Sequence, residues 1–348
     1  MPKYQRVHLT ALAYELGPVV VTSAELEERL APVYGRLNLQ AGQLEAWTGI
    51  SERRWWQPGF QLSTGALAAA RKALRKAAVT PADLGMVLYG GVCRENFEPA
   101  TACAVADGLG VRGSAFVYDL SNACLGVLNG MVEIANRIEL GQIRAGLVVS
   151  CETAREINEI ALARLLRGGD MAEFSPAIAT FTGGSGAVAI LLTDGSFAGL
   201  PGHRLLGAVS EVAPQHHRLC RWGLQPAGST QQEQFMQTDS VAVLKHGVQL
   251  GQRTWELFQS HLGWPAAAVD RVICHQVGSG HQDAILKSLQ VPKEKDYVTY
   301  RFLGNMGTAA LPVTAAIADE RGVLKPGQRV AFLGIGSGLT CLMLGLEW

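Results

Sequence analysis

At 348 residues, with 48% hydrophobic and 17% charged, the chain has enough apolar material for one large or two medium cores and does not read as disordered. Thirty Lys and Arg balance 30 Asp and Glu, so no net field draws it to a nucleic acid or a membrane surface. The start, MPKYQRVHLTALAYEL, has no signal-peptide pattern, no apolar run approaches the ~20 residues of a membrane span, and the seven cysteines are scattered without a CxxC. A soluble, cytoplasmic, reducing setting is therefore expected, without a disulfide framework, structural zinc or other metal.

Taken along the chain, Thr22 with Glu25 reads as a capping box opening a helix to about Leu37, and Thr64–Ala78 is an alanine-rich helix. Short apolar runs bounded by glycine follow at Met86–Val92, Phe116–Leu120, Leu147–Cys151 and Ala187–Thr193, with a helical stretch at Leu125–Leu140. This alternation implies βαβ units and a largely parallel, doubly covered sheet. The glycine- and proline-bearing stretch Asp194–His203 then separates a second half with the same grammar. It contains a strand at Arg204–Val212, a long helix through Asp239–Leu262 and a strand at Arg271–His275. Helices at Gln282–Leu289 and Thr308–Arg321 precede strands at Arg329–Ile335 and Thr340–Glu347. The expected architecture is a pseudo-duplicated α/β fold with halves at residues 1–193 and 204–348.

Cys124 stands where the strand ending near Leu120 passes through a small-residue turn into a helix. The unpaired N–H groups and dipole of a helix N-terminus favour thiolate, as a nucleophile requires; the plain alternative is a buried cysteine. His275 ends a strand before Gln-Val-Gly-Ser-Gly, where α/β sheets place their sites, although it could equally cap the next helix. His216, His217, His246, His261 and His281 read as surface residues. Asn305 lies in Phe-Leu-Gly-Asn-Met-Gly, which alone is turn chemistry. The bend Gly336–Gly338 fits no GxGxxG loop, and neither Ser185 nor Ser337 sits in a GxSxG elbow; such a bend can instead expose a backbone N–H to an oxyanion.

Together these pieces resemble the ketoacyl-ACP synthase III branch of the thiolase superfamily, over essentially the whole chain. The resemblance rests on Thr48-Gly49-Ile50 with Arg53, Asn122-Ala123-Cys124, Gly184–Val188, His275-Gln276, Gly304-Asn305-Met306-Gly307 and Gly336-Ser337-Gly338. It implies the layered α-β-α-β-α thiolase fold, a homodimer, and a set made of nucleophile Cys124, His275 and Asn305. The oxyanion hole would be the backbone N–H groups of Cys124 and Ser337.

Within that branch, Val21–Leu30, Phe97-Glu98-Pro99-Ala100-Thr101-Ala102 and the ending Leu-Gly-Ile-Gly-Ser-Gly-Leu are similar to the acyl-CoA-condensing enzymes of bacterial long-chain olefin biosynthesis. There a glutamate reaches across the dimer into the partner's site, and the matching position is Glu98. Removing an α-proton from an ordinary acyl-CoA needs a placed carboxylate, whereas decarboxylation of a malonyl group does not. The resemblance thus implies Claisen condensation of two acyl-CoAs to a 2-alkyl-3-ketoacyl-CoA, with CoA thioesters as substrates and no cofactor. The alternatives are decarboxylative condensation of acyl-CoA with malonyl-ACP, a silent partner subunit, and a thiol protease.

The common synthases carry a tryptophan and an arginine before the Thr-Gly-Ile motif to grip the CoA adenine; this chain has Gln43 and Trp47. Arg53, Arg54 and Arg221 are the candidates for the CoA phosphates, each also readable as a surface charge. Leu125, Ile178 and Leu303 could line an acyl tunnel or simply pack the core. An acyl carrier protein or downstream enzymes remain open as further partners.

Overall fold

A computed structural model describes residues 2–197, 202–226 and 231–348. In chain order the first half runs β1 (His8–Leu16), β2 (Val19–Thr22), α1 (Ser23–Arg29), α2 (Ala31–Leu37), α3 (Gln43–Thr48), β3 (Glu52–Trp55) and α4 (Leu62–Ala77). It continues through β4 (Met86–Gly90), α5 (Thr101–Leu109), β5 (Phe116–Leu120), α6 (Gly126–Glu139), β6 (Ala145–Glu152), α7 (Arg155–Leu166), α8 (Met171–Phe181) and β7 (Gly186–Thr193). The second half has β8 (His203–Val212), β9 (Cys220–Pro226), β10 (Gln232–Thr238), α9 (Ser240–Leu262), β11 (Arg271–Cys274) and α10 (Ser279–Leu289). It ends with α11 (Tyr300–Leu303), α12 (Ala310–Glu320), β12 (Arg329–Gly336) and β13 (Thr340–Glu347). Part of the separating stretch Asp194–His203 lies outside the described residues.

The capping box forms: Thr22 N–H donates to Glu25 Oε2 at 2.6 Å and Glu25 N–H to Thr22 Oγ1 at 3.0 Å. The expected single helix to Leu37 is instead two, broken at Leu30, because Pro32 at the start of α2 has no N–H to continue the ladder.

The nine-stranded sheet has the order β11-β12-β13-β8-β1-β7-β6-β4-β5. Outward from the centre, β1 is followed by β7, β6 and β4, and β8 by β13, β12 and β11. In both directions the pairings are antiparallel, antiparallel, parallel. That matching order is the pseudo-duplication. It also corrects the expectation of a largely parallel sheet, since only β4 with β5 and β6, and β11 with β12, pair parallel. The first and last strands of each half fold back as neighbours, and an apolar run reads the same in either direction. β1 and β8 meet over two residue pairs only.

Alternation along the strands separates three apolar layers. Leu147 and Val149 face α4 through Ala66, Ala69, Ala70 and Ala73, while Val148 faces the middle. Val330 and Phe332 also face the middle, and Ala331 and Leu333 face Leu250 and Phe258 of α9. The middle layer is α6 and α12, with Met131, Ile134, Leu311 and Val313 buried against both half-sheets. The result is α-β-α-β-α, the thiolase fold. Truncating Met131 to Ala there should cost about 2–5 kcal/mol. Gly90 and Gly126 press the end of β4 onto the start of α6; a Cβ on Gly90 would lie 2.6 Å from Gly126 C. That contact fixes where the turn before α6 emerges. No described helix is long and apolar enough to cross a membrane.

Candidate active site

Cys124 lies in a 3-10 turn, Ala123–Leu125, between β5 and α6. The turn is tight enough that Ala123 takes φ +47°, uncommon for a residue with a Cβ. Asn122 Nδ2 donates to Asn129 Oδ1 at 2.7 Å and Leu125 N–H to Asn122 O at 2.9 Å, locking the turn to the helix behind it. From the other half, Gly336 packs so close that a Cβ there would lie 3.4 Å from the Cys124 nitrogen. The bend at Gly336–Gly338 therefore sits beside the Cys124 N–H, where two backbone donors can serve one oxyanion.

Cys124, His275, Asn305 and Ser337 line one cavity of about 280 Å³. His275 follows β11, its N–H donating to Leu333 O at 3.0 Å. Gln276 behind it is buried; its Oε1 accepts from Thr299 N–H at 3.0 Å and Tyr300 N–H at 3.2 Å, and its Nε2 donates to Cys274 O at 2.7 Å. This pins the histidine's strand end to the segment leading to Asn305. Asn305 N–H donates to Thr182 O at 2.8 Å, and Asn305 O accepts from Gly184 N–H at 2.9 Å. Its Oδ1 accepts from Gly307 N–H at 3.0 Å, leaving the NH2 as the free end of the amide.

Burial sets the charges. It pushes the Cys124 thiol up to about 12, with Cys220 and Glu152 adding to the effect. The expected helix-terminus lowering is overcome: α6 begins only at Gly126, and desolvation of a thiolate outweighs the dipole. Burial likewise lowers His275 to about 4, helped by the neighbouring His281. Its Nδ1 is buried without a hydrogen-bond partner among the described residues. The resting pair at neutral pH is thus a thiol and an uncharged imidazole. His281, read from the sequence as a surface residue, lines the same cavity.

Most of the remaining lining is apolar. It includes Trp47 and Ile178, beside Thr48 and Thr182, then Val243, Leu244, Gly247, Val248 and Gly251 of α9 with Leu333, Cys341 and Met343. Ile178 is therefore a lining residue, whereas Leu125 and Leu303 belong to the central core. The contributions of α9 and of Cys220, Met236 and Thr238 on the β9–β10 hairpin were not anticipated. The available signal was the pair Gly247 and Gly251, one turn apart in an otherwise good helix.

The candidate phosphate ligands do not gather. Arg53 is fully buried, donating to Val21 O and Ser23 Oγ, so it holds β2 and α1 and cannot meet CoA; that expectation is corrected. Arg54 is half-buried, 3.6 Å from Glu52, and Arg221 is exposed on β9, stacked on Phe235 at 5.4 Å. Neither lines the cavity. Glu98 is exposed on the loop between β4 and α5 beside Phe97, which is 94% exposed, and lies outside its own chain's cavity.

Residues 260–348 match the family described as 3-oxoacyl-[acyl-carrier-protein] synthase III, C terminal. The chain is 55% identical, over 99% of its length and all of the relative's, to the acyl-CoA:acyl-CoA alkyltransferase of Shewanella oneidensis. It is 35% identical, over 99% of both, to the protein of that name from Xanthomonas campestris pv. campestris. A beta-ketoacyl-[acyl-carrier-protein] synthase III of Bordetella petrii is 28% identical over 84% of each chain. Among solved structures, Xanthomonas campestris OleA superposes with a TM-score of 0.93 at 34% identity over all of both chains. A cysteine variant of it, with lauric acid and lauroyl-CoA bound, gives 0.92 at 35% identity over 99% of this chain and all of that one. That first structure carries the protein with a histidine exchanged for alanine, and another matched structure carries it with a glutamate exchanged for aspartate. Its altered glutamate and cysteine stand as far apart in sequence as Glu98 and Cys124 do here.

Proposed function

The chain belongs to the acyl-CoA:acyl-CoA alkyltransferases, carbon–carbon bond-forming acyltransferases of the ketoacyl synthase III branch, and on that premise we propose how its site joins two acyl-CoAs. The observation that carries the reading is the meeting of Cys124, His275, Asn305 and Ser337 on one apolar cavity.

Cys124 attacks the thioester carbonyl of the first acyl-CoA while its proton passes to the uncharged imidazole of His275. The oxyanion is held by the N–H groups of Cys124 and Ser337. The C–S bond to CoA breaks, the leaving sulfur takes up a proton, and an acyl-Cys124 thioester remains. Glu98 of a neighbouring subunit then removes an α-proton from a second acyl-CoA. His275 and Asn305 donate to the enolate oxygen, the α-carbon attacks the acyl-enzyme, and the Cys124 sulfur is expelled. The proton that Glu98 took up is returned to that sulfur, restoring thiol and carboxylate. The product is a 2-alkyl-3-ketoacyl-CoA. The scheme needs a homodimer in the cytoplasm and calls for neither metal nor redox cofactor. An exposed Glu98 beside an exposed Phe97, outside its own cavity, supports delivery in trans.

The test is product mass spectrometry with acyl-CoA alone against acyl-CoA plus malonyl-ACP. A 2-alkyl-3-ketoacyl-CoA from acyl-CoA alone is expected; product only with malonyl-ACP would make the enzyme decarboxylative.

A further inference from the structure

Glu152, the last residue of β6, is 3% exposed and does not line the cavity. Its carboxylate nevertheless lies between two separate loops. Val92 N–H donates to Oε1 at 2.8 Å and Cys93 N–H to Oε2 at 3.1 Å, at the start of the loop that carries Glu98. On its other side stands the loop just after Asn305, where the Thr308 N–H helps to stabilise the charged carboxylate. Gly307 in that loop has φ +54°, and a Cβ on it would lie 3.2 Å from Glu152 Cδ, so the loop is shaped around the carboxylate. Thr308 Oγ1 in turn accepts Val127 N–H at 2.8 Å, in the first turn of α6 behind Cys124. The far end of the Glu98 loop is tied separately, with Thr101 and Ala102 N–H both donating to Asp119 at 2.9 Å.

We infer that Glu152 is a positioning residue for the condensation step, holding the Glu98 loop and the Asn305 loop in fixed register with the Cys124 turn through the bonds from Val92 and Cys93 and the close packing of Gly307 on its carboxylate. The inference rests on the roles given above to Glu98 and Asn305. Only a carboxylate suits the place: it offers two acceptor oxygens and no donor, one oxygen to each of two N–H groups. An amide of the same shape would set an N–H against an N–H and strand a buried donor. Acylation depends instead on the Cys124 turn and the Gly336–Gly338 bend, which Glu152 does not bond directly. Its loss should therefore divide the two half-reactions.

The experiment takes full-length Glu152→Gln with a single acyl-CoA and follows the Cys124 adduct by intact mass, the condensation product by mass spectrometry, and amide hydrogen exchange at Val92, Cys93 and Thr308. Adduct formation should stay within about threefold of the parent while condensation kcat falls on the order of 10²-fold at similar KM, as for a displaced catalytic loop. Exchange at both loops should rise together. Glu152→Asp, which keeps the charge but retracts it by one methylene, should fall between; it is judged by the same readouts if Glu152→Gln does not fold. Equal loss in both half-reactions, no loss, or unchanged exchange at either loop would overturn the inference. Absence of product from the unaltered enzyme would instead remove the two-acyl-CoA reading, with the exchange result still deciding whether Glu152 ties the loops.

Discussion

In the proposed scheme Cys124 enters the reaction as a thiol, because burial disfavours the charged sulfur. The scheme gives its activation to His275 once a thioester is in place. Cys124→Ala should abolish the acyl adduct, and an adduct mass persisting in that variant would refute the assignment. His275 also leaves a mark on stability. Its folded pKa of about 4 lies below the 6.5 of a free imidazole, so the unfolded chain binds the extra proton first as pH falls. Stability from the neutral imidazole is full above pH 6.5 and is lost as pH drops through about 4, on the order of 3 kcal/mol in all. Asp296, raised by burial to about 6, slopes the other way over part of that window. The measurement is therefore the difference in denaturant midpoints between parent and His275→Gln across pH 4–7, which should grow in the parent's favour as pH rises and level off above 6.5. Local pattern left Cys124, His275 and Asn305 each open; the ordered set was read from a family resemblance, and the structure brings all three to one cavity. The protonation states of Cys124 and His275 were not legible, since burial belongs to the packed whole. Arg53 shows the same limit: a lone arginine in a polar stretch reads as exposed, yet it is walled in by β2 and α1.

At the scale of elements, α9 is the clearest gain over sequence. Its position, from the cap at Asp239 to Leu262, was readable; that its first half walls a cavity was not. A Cβ on Gly251 would lie 2.7 Å from Ile285 Cδ1, and one on Gly247 3.0 Å from Ile335 Cδ1, so these two glycines mark where the space narrows. Ile285→Ala should shift preference toward longer acyl chains and Gly247→Val toward shorter ones. Each methylene gained or lost should be worth about fourfold in kcat/KM, read by competition among acyl-CoAs of graded length. An unmoved length optimum in both would place the acyl chain elsewhere. β1 and the β9–β10 hairpin escaped the sequence reading for different reasons. β1 buries Leu9 and Leu12 in one layer and Ala11 and Ala13 in another, but His8, Thr10, Tyr14 and Glu15 interrupt its apolar run, whereas the β9–β10 hairpin is polar along much of both strands.

At the scale of the molecule, the repeated order outward from β1 and β8 was anticipated as a repeated grammar, while the mixed strand directions had to be seen. Two equivalent halves enclose one shared helical layer and one reaction centre. Delivery of Glu98 in trans gives a quantitative expectation. Cys124→Ala and Glu98→Ala chains are each expected to condense poorly, the latter by about 10²–10⁴-fold while still acylating. Mixed and allowed to exchange, they should regain about a quarter of parent activity, because half the twofold dimers then hold one intact site of two. No recovery on exchange would mean that Glu98 serves its own chain or none.

The bend at Gly336–Gly338 comes from the closing turn of the chain, between β12 and β13, and it rests on a cysteine made two hundred residues earlier. A polypeptide emerging from the ribosome thus carries its sulfur long before it carries the groups that arm it. Shortened or half-made copies would hold a harmless thiol, and acyl transfer would begin only after the last strand has docked.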